Sequence, residues 1–186
     1  MDIPELIGRA RQGNELAWVT LVQQEQAAVF RLAYLLLGDA DDAADVAQDA
    51  FVHAFRGLDG FDAARPLRPW LLQIAKNLAY NRRRSLRRYL AALQRWWQLT
   101  PADKELPDSV TSGQEAQELW QAVQQLALSD QEVIYLRYFL ELSVAETAIT
   151  LGVAEGTIKS RLSRALVRLR LVIESEFPAL HKEGAV

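Results

Sequence analysis

The chain has 186 residues and no cysteine. That absence excludes a disulfide framework, a thiolate metal site and an internal oxidation switch, and it fits a reducing compartment. Its two histidines, His53 and His181, stand far apart and in no metal-ligand spacing. There is no phosphate-cradling P-loop and no Gly-rich dinucleotide turn, so an enzyme would have only scattered carboxylates to work with. No catalytic residue, metal or cofactor is expected. Long apolar runs are missing as well: the longest, Leu32 to Leu37, falls far short of the ~20 residues that cross a bilayer. Asp2 and Glu5 occupy the place where a secretory signal carries positive charge. A cytoplasmic protein with no direct membrane insertion is the expectation.

What the chain does have is apolar mass, 50% of its residues, enough for one ordinary domain or two small helical ones, each with a modest core. A formal net charge of −3 argues at first against nucleic-acid binding, which draws its electrostatic affinity from Lys and Arg. The distribution reverses that impression. Thirteen of the 21 basic residues fall in two windows, Arg65 to Arg88 and Lys159 to Arg170. Two separated basic surfaces on an acidic protein suggest two DNA contacts, plus a partner that wants acid.

Apolar spacing is helical nearly everywhere, and no stretch alternates as a strand would. The spacing predicts helices over Ile3 to Gly8, Glu15 to Leu37, Ala40 to Leu58 and Pro69 to Arg88, with breaks where Gly and Pro accumulate. The expected fold is all-α: two small helical domains, 1–98 and 114–177, joined by a flexible linker over 99–113 and followed by a tail over 178–186. The linker carries two prolines, small polar residues and no apolar stripe.

In the second domain Ser129-Asp-Gln-Glu132 and Ser143-Val-Ala-Glu146 both fit the capping box, which marks two helix starts. A short helix from Ser143 to Leu151, a left-handed turn at Gly152 and a longer basic helix from near Glu155 make a helix-turn-helix. In the longer helix Ile158, Leu162, Ala165, Leu166 and Leu169 form the core stripe. Thr157, Lys159, Ser160, Arg161, Ser163, Arg164 and Arg168 are left around the rest, and such types suit the major groove, with Arg able to pair bidentately with guanine.

The first domain sets acid beside base. Ala43, Ala47, Ala50, Phe51, Ala54 and Leu58 are expected to be buried on one helix whose other face carries Asp42, Asp45 and Asp49. The next helix is expected to bury Leu71, Ile74, Ala75 and Leu78, with Trp70 in the core. It turns outward Gln73, Lys76, Asn77, Tyr80, Asn81, Arg84 and Arg87, next to Arg83. An aromatic among bases and cations suits single-stranded DNA.

Leu151-Gly-Val-Ala-Glu-Gly-Thr-Ile-Lys-Ser-Arg-Leu-Ser-Arg-Ala165 closely resembles the helix-turn-helix of domain four in extracytoplasmic-function sigma factors of the sigma-70 family. Pro69-Trp70-Leu71 and Ile74-Ala-Lys-Asn-Leu78 resemble that family's minus-ten reader in domain two, and Asp45, Gln48, Asp49 and Phe51 match its polymerase-docking helix. The resemblance spans roughly 15–88 and 114–173, with the motifs in their usual order. It implies that Asp42, Asp45, Gln48 and Asp49 bind core polymerase at the β′ coiled coil, the β subunit being a further contact. It implies minus-ten contacts from Lys76, Asn77, Tyr80, Arg83, Arg84 and Arg87, and minus-thirty-five contacts from Thr157, Lys159, Ser160, Arg161, Arg164 and Arg168. Promoter DNA and an anti-sigma factor, which could hold the protein at the membrane, complete the expected partners. Two departures stand out: Ala154 replaces a capping Ser, and Leu67-Arg68 replaces an aromatic just ahead of Trp70. The alternative is a self-sufficient helix-turn-helix regulator that binds a palindrome as a dimer.

Overall fold

The computed structural model describes residues 2–94 and 114–177. The chain divides into two compact units, Met1–Lys104 and Glu105–Val186. The expected linker 99–113 and tail 178–186 lie outside the described residues. Those residues form eight α-helices with no strand among them.

In the first unit α1 (Ile3–Arg11) begins where the Asp2 side chain accepts from the Glu5 amide, with Pro4 in the first turn. It runs three residues past the expected Gly8. Arg11 at its end donates through Nε to the carbonyl of Leu58 at 3.0 Å and through its guanidinium to that of Phe61. α2 (Glu15–Leu37) is capped by Asn14 and stops at Gly38, which takes a left-handed φ of 73° that costs glycine nothing. Asp39 then caps α3 (Ala40–Gly57). Leu58 leaves the helix for a 3₁₀ turn, Leu58–Gly60, so α3 ends one residue earlier than its periodicity predicts.

α4 (Leu67–Gln94) opens two residues before Pro69 and passes Arg88. A proline in the first turn forfeits no helical hydrogen bond, so Pro69 marks a helix beginning without being its first residue. α2, α3 and α4 pack around Leu21, Val29, Leu32, Leu71 and Leu72, each 2% exposed or less. Burial of such a side chain contributes about 1.5–3 kcal/mol. On α3 the residues facing this core are Ala43, Val46, Ala50 and Ala54, and three of those four are alanines, which lets the neighbouring helices approach. Ala47 and Phe51, expected in the stripe, are only half-buried. On α4 Leu72 and Ala79 are buried with Leu71 and Ala75, whereas Ile74 and Leu78 are half-buried. The core stripe is thus rotated by part of a turn.

The second unit contains α5 (Gln114–Gln124), α6 (Leu128–Ile134), a π turn over Tyr135–Phe139, α7 (Val144–Leu151) and α8 (Glu155–Glu176). Trp120, Tyr135 and Phe139 form its aromatic centre, with ring centroids 5.7–6.1 Å apart. One expected capping box does not form. α6 starts from Ala127, whose carbonyl accepts the amides of Asp130 and Gln131, so Ser129 lies inside the first turn. Asp130, Gln131 and Glu132 are all buried, with Asp130 drawn inward by an ion pair and Gln131 donating to the carbonyls of Gln124 and Leu126 at 2.9 and 2.8 Å. Tertiary partners outcompete the local cap. The other box forms fully: the Ser143 hydroxyl accepts from the Glu146 amide at 3.1 Å and the Glu146 carboxylate accepts from the Ser143 amide at 2.8 Å.

Candidate functional site

Asp45, Gln48 and Asp49 are exposed on α3, as the sequence predicts, while Asp42 is half-buried. Asp42 already has a partner. Arg82 of α4 donates through Nε to its carboxylate at 2.8 Å and reaches Asp45 at 3.4 Å. The hydrogen bond from Arg82 to Asp42, followed by the charges of Asp42, Asp45 and Asp49, raises the guanidinium pKa above its ordinary value despite an opposing effect of desolvation. The acidic and basic helices are therefore cross-linked, a pairing across 40 residues that no local pattern announces.

On α4 Asn77 and Arg84 are exposed, whereas Lys76, Tyr80 and Arg83 are half-buried, so the expected outward face is only partly solvated. The side chain of Arg87 lies outside the described residues. Arg68 is fixed at the helix start by the buried Glu25 of α2, with Nε 2.7 Å from a carboxylate oxygen that is almost out of water. A buried carboxylate needs such a charge-assisted partner. Leu67 is buried. Trp70 is half-buried and stacks on Phe61 at a centroid distance of 4.4 Å.

A third surface on this unit escaped the sequence reading. Trp18, Val19, Phe30, Phe51, Val52 and Phe55 line an open, mostly apolar groove between α2 and α3. Trp18 lies 6.4 Å from the Phe51 ring and 5.2 Å from the Phe55 ring, and Phe55 is 54% exposed. Large apolar side chains thus remain in contact with solvent along this groove. The signal was the excess of large apolar residues on α3, whose core face is filled by small ones.

In the second unit backbone geometry places α8. Gly152 ends α7 in a left-handed turn at φ 68°, and the Val153 amide bonds back to the Ala148 carbonyl at 3.0 Å. Buried Ile158 and Ala165 seat α8 on its neighbours, while Leu166, expected in the stripe, is 38% exposed. Ala154 at its N-cap offers no side-chain bond, as its chemistry dictates. Thr157, Lys159, Ser160, Ser163 and Arg164 are exposed, and Arg161 is half-buried. Arg164 donates to the Ser160 carbonyl at 3.2 Å along the helix surface. Arg168 differs from the rest: its guanidinium is 2.5 Å from the buried carboxylate of Asp130. It ties α8 to α6.

The comparisons agree with this layout. The Sigma-70 region 2 family profile matches residues 21–89 and the Sigma-70, region 4 profile matches residues 116–169. The ECF RNA polymerase sigma factor SigW of Bacillus subtilis is 33% identical over 91% of this chain and 96% of its own length. SigL of Mycobacterium tuberculosis, another ECF RNA polymerase sigma factor, is 35% identical over 86% of this chain and 91% of its own. Among solved structures, CnrH in complex with the cytosolic domain of CnrY has a TM-score of 0.70 at 27% identity, covering 94% of this chain and 98% of that one. RpoE in complex with the anti-sigma factor NepR from Bartonella quintana also has a TM-score of 0.70, at 25% identity, covering 84% and 96%. With both regions present in order and full-length relatives above 30% identity, the chain belongs to the extracytoplasmic-function sigma factors of the sigma-70 family.

Proposed function

We propose that this sigma factor divides promoter recognition between two basic helices and docks on RNA polymerase core through the helix beside the first of them. One observation carries the reading: within the first unit an exposed acidic surface, Asp45, Gln48 and Asp49, borders a helix that exposes Asn77 and Arg84. One compact body thus offers acid to a protein and base to DNA. Docking engages the β′ coiled coil through Asp45, Gln48 and Asp49, with Asp42 steadying the face from its half-buried position. Lys76, Asn77, Tyr80, Arg83, Arg84 and Arg87 serve the opened minus-ten strand, where bases stack and phosphates track cations. Thr157, Lys159, Ser160, Arg161 and Arg164 serve the minus-thirty-five duplex, and Arg168 holds their helix in place. The groove around Trp18 and Phe55 gives an anti-sigma factor an apolar seat on the first unit. The protein acts in the cytoplasm as an initiation factor and performs no chemistry of its own.

Run-off transcription with purified core polymerase tests this. The parent should start at defined sites on a genomic promoter library. Asp49→Arg should abolish most of that activity by turning attraction into repulsion while duplex affinity of the free protein is unchanged. Defined binding to palindromic duplexes without core, together with no transcription in its presence, would replace the reading with that of a self-sufficient regulator.

A further inference from the structure

We infer that Arg82 is a positioning residue that couples the two faces of the first unit, shielding part of the acidic surface of α3 while fixing the DNA-facing side of α4. The inference rests on the docking and strand-reading roles proposed above. Arg82 stands in the basic run Arg82 to Arg84, where composition alone would make it a phosphate contact. Its guanidinium is instead engaged by two carboxylates of another helix, Asp42 at 2.6 Å and Asp45 at 3.4 Å. A single exposed ion pair adds little to stability. Here one planar fork meets two acids that stand three residues apart on α3 and repel each other, so the arrangement also relieves that repulsion.

The two consequences have opposite signs. Without Arg82 the α3 surface gains one unit of negative charge, which speeds encounter with a basic partner and steepens its salt dependence. Without Arg82, α4 also loses its charged tie to α3 beyond the shared core, along the stretch that carries Asn77 and Arg84, so the strand-reading groups are held less firmly. Core binding should tighten while strand opening falters. A merely structural residue would weaken both, and a phosphate contact would weaken DNA binding with no effect on core.

The test uses the full chain with core polymerase. Core affinity is read by anisotropy of the labelled sigma factor at two salt concentrations, and opening by permanganate reactivity of promoter thymines at saturating holoenzyme. Arg82→Ala should bind core about threefold more tightly at low salt, with the gain shrinking at high salt. Its thymine reactivity should drop severalfold. Arg82→Lys should return core affinity to the parent value and opening only in part, because an ammonium restores the charge without the fork. Parallel loss of both signals in Arg82→Ala, or no change in either, overturns the coupling. Asp49→Ala separates the two readings. If it leaves core affinity unchanged, the docking assignment falls; if it weakens core binding while Arg82→Ala does not tighten it, only the coupling falls.

Discussion

The two units place their basic helices by different means. In the first, α4 is held by side chains arriving from distant parts of the chain: Glu25 on Arg68, Asp42 and Asp45 on Arg82, and Phe61 stacked on Trp70. In the second, α8 is introduced by local devices, a capped α7, a left-handed Gly152 and a backbone bond from Val153 to Ala148, and then held by Arg168 on Asp130 and by Gln125 donating to Glu176 at 2.6 Å. Arg68, Arg82 and Arg168 each pair with a carboxylate of their own unit, so basic composition alone does not say what a cation on these helices touches.

The sharpest contrast between the units is in what remains when an arginine is removed. Arg68→Ala strands Glu25, which is 3% exposed in the body of α2 with no helix end nearby to stabilise its charge. Loss of one partner of a buried pair costs about 3–5 kcal/mol, and the lower figure applies here because Arg68 is itself half-exposed. Arg168→Ala strands Asp130, which is equally buried but lies in the first turn of α6, where the helix dipole favours an anion by up to about 2 kcal/mol. The first substitution should cost more. Native-state hydrogen exchange on the full chain measures both, through α2 and α4 for one and α6 and α8 for the other. An Arg168→Ala cost equal to or above that of Arg68→Ala would remove the dipole from the account.

DNA binding should sharpen the distinction between free and engaged cations within α8. Arg164 is exposed and bonded only to its own helix backbone, while Arg168 is held by Asp130. Arg164→Ala should reduce the slope of log affinity against log salt by about 0.9 if it neutralises one phosphate, or cost ~1–3 kcal/mol with relaxed preference at one base pair if it reads guanine. Arg168→Ala should leave slope and preference as they are. Holoenzyme binding to minus-thirty-five variants across a salt series checks both, and a lower slope for Arg168→Ala would return that residue to the DNA contacts.

The same contrast explains what was legible in the sequence. The helix-turn-helix was readable to the residue because its devices are local: Ser143 and Glu146 stand three apart, and Gly152 punctuates the turn. The acidic helix was readable as a face, since Asp45, Gln48 and Asp49 recur at helical spacing. The rotation of α4 and the links from Glu25 and Asp42 were hidden, because they join residues about forty positions apart and depend on how α2, α3 and α4 pack. The apolar groove was hidden for a related reason. Phe51 has the spacing of a core residue, but the core of α3 is closed by alanines, which leaves the larger rings outside.

The smallest expected effect tests local against tertiary control directly, since two sites share one sequence pattern. Ser143 and Ser129 each precede a Glu by three residues. The Ser143 hydroxyl accepts from the Glu146 amide at 3.1 Å, so the α7 start depends on that side chain. Ser143→Ala should lower stability by about 1 kcal/mol, the usual cost of an N-cap. Ser129 is exposed within the first turn of α6, whose opening amides are taken by the Ala127 carbonyl. Ser129→Ala exchanges a weaker helix former for the best one at a site without a cap, so it should be neutral or stabilising by a few tenths of a kcal/mol. Native-state hydrogen exchange through α6 and α7 of the two variants gives the comparison. Equal losses at both sites would mean that the box at Ser129 forms in solution and that tertiary pull on Asp130 does not set where α6 begins.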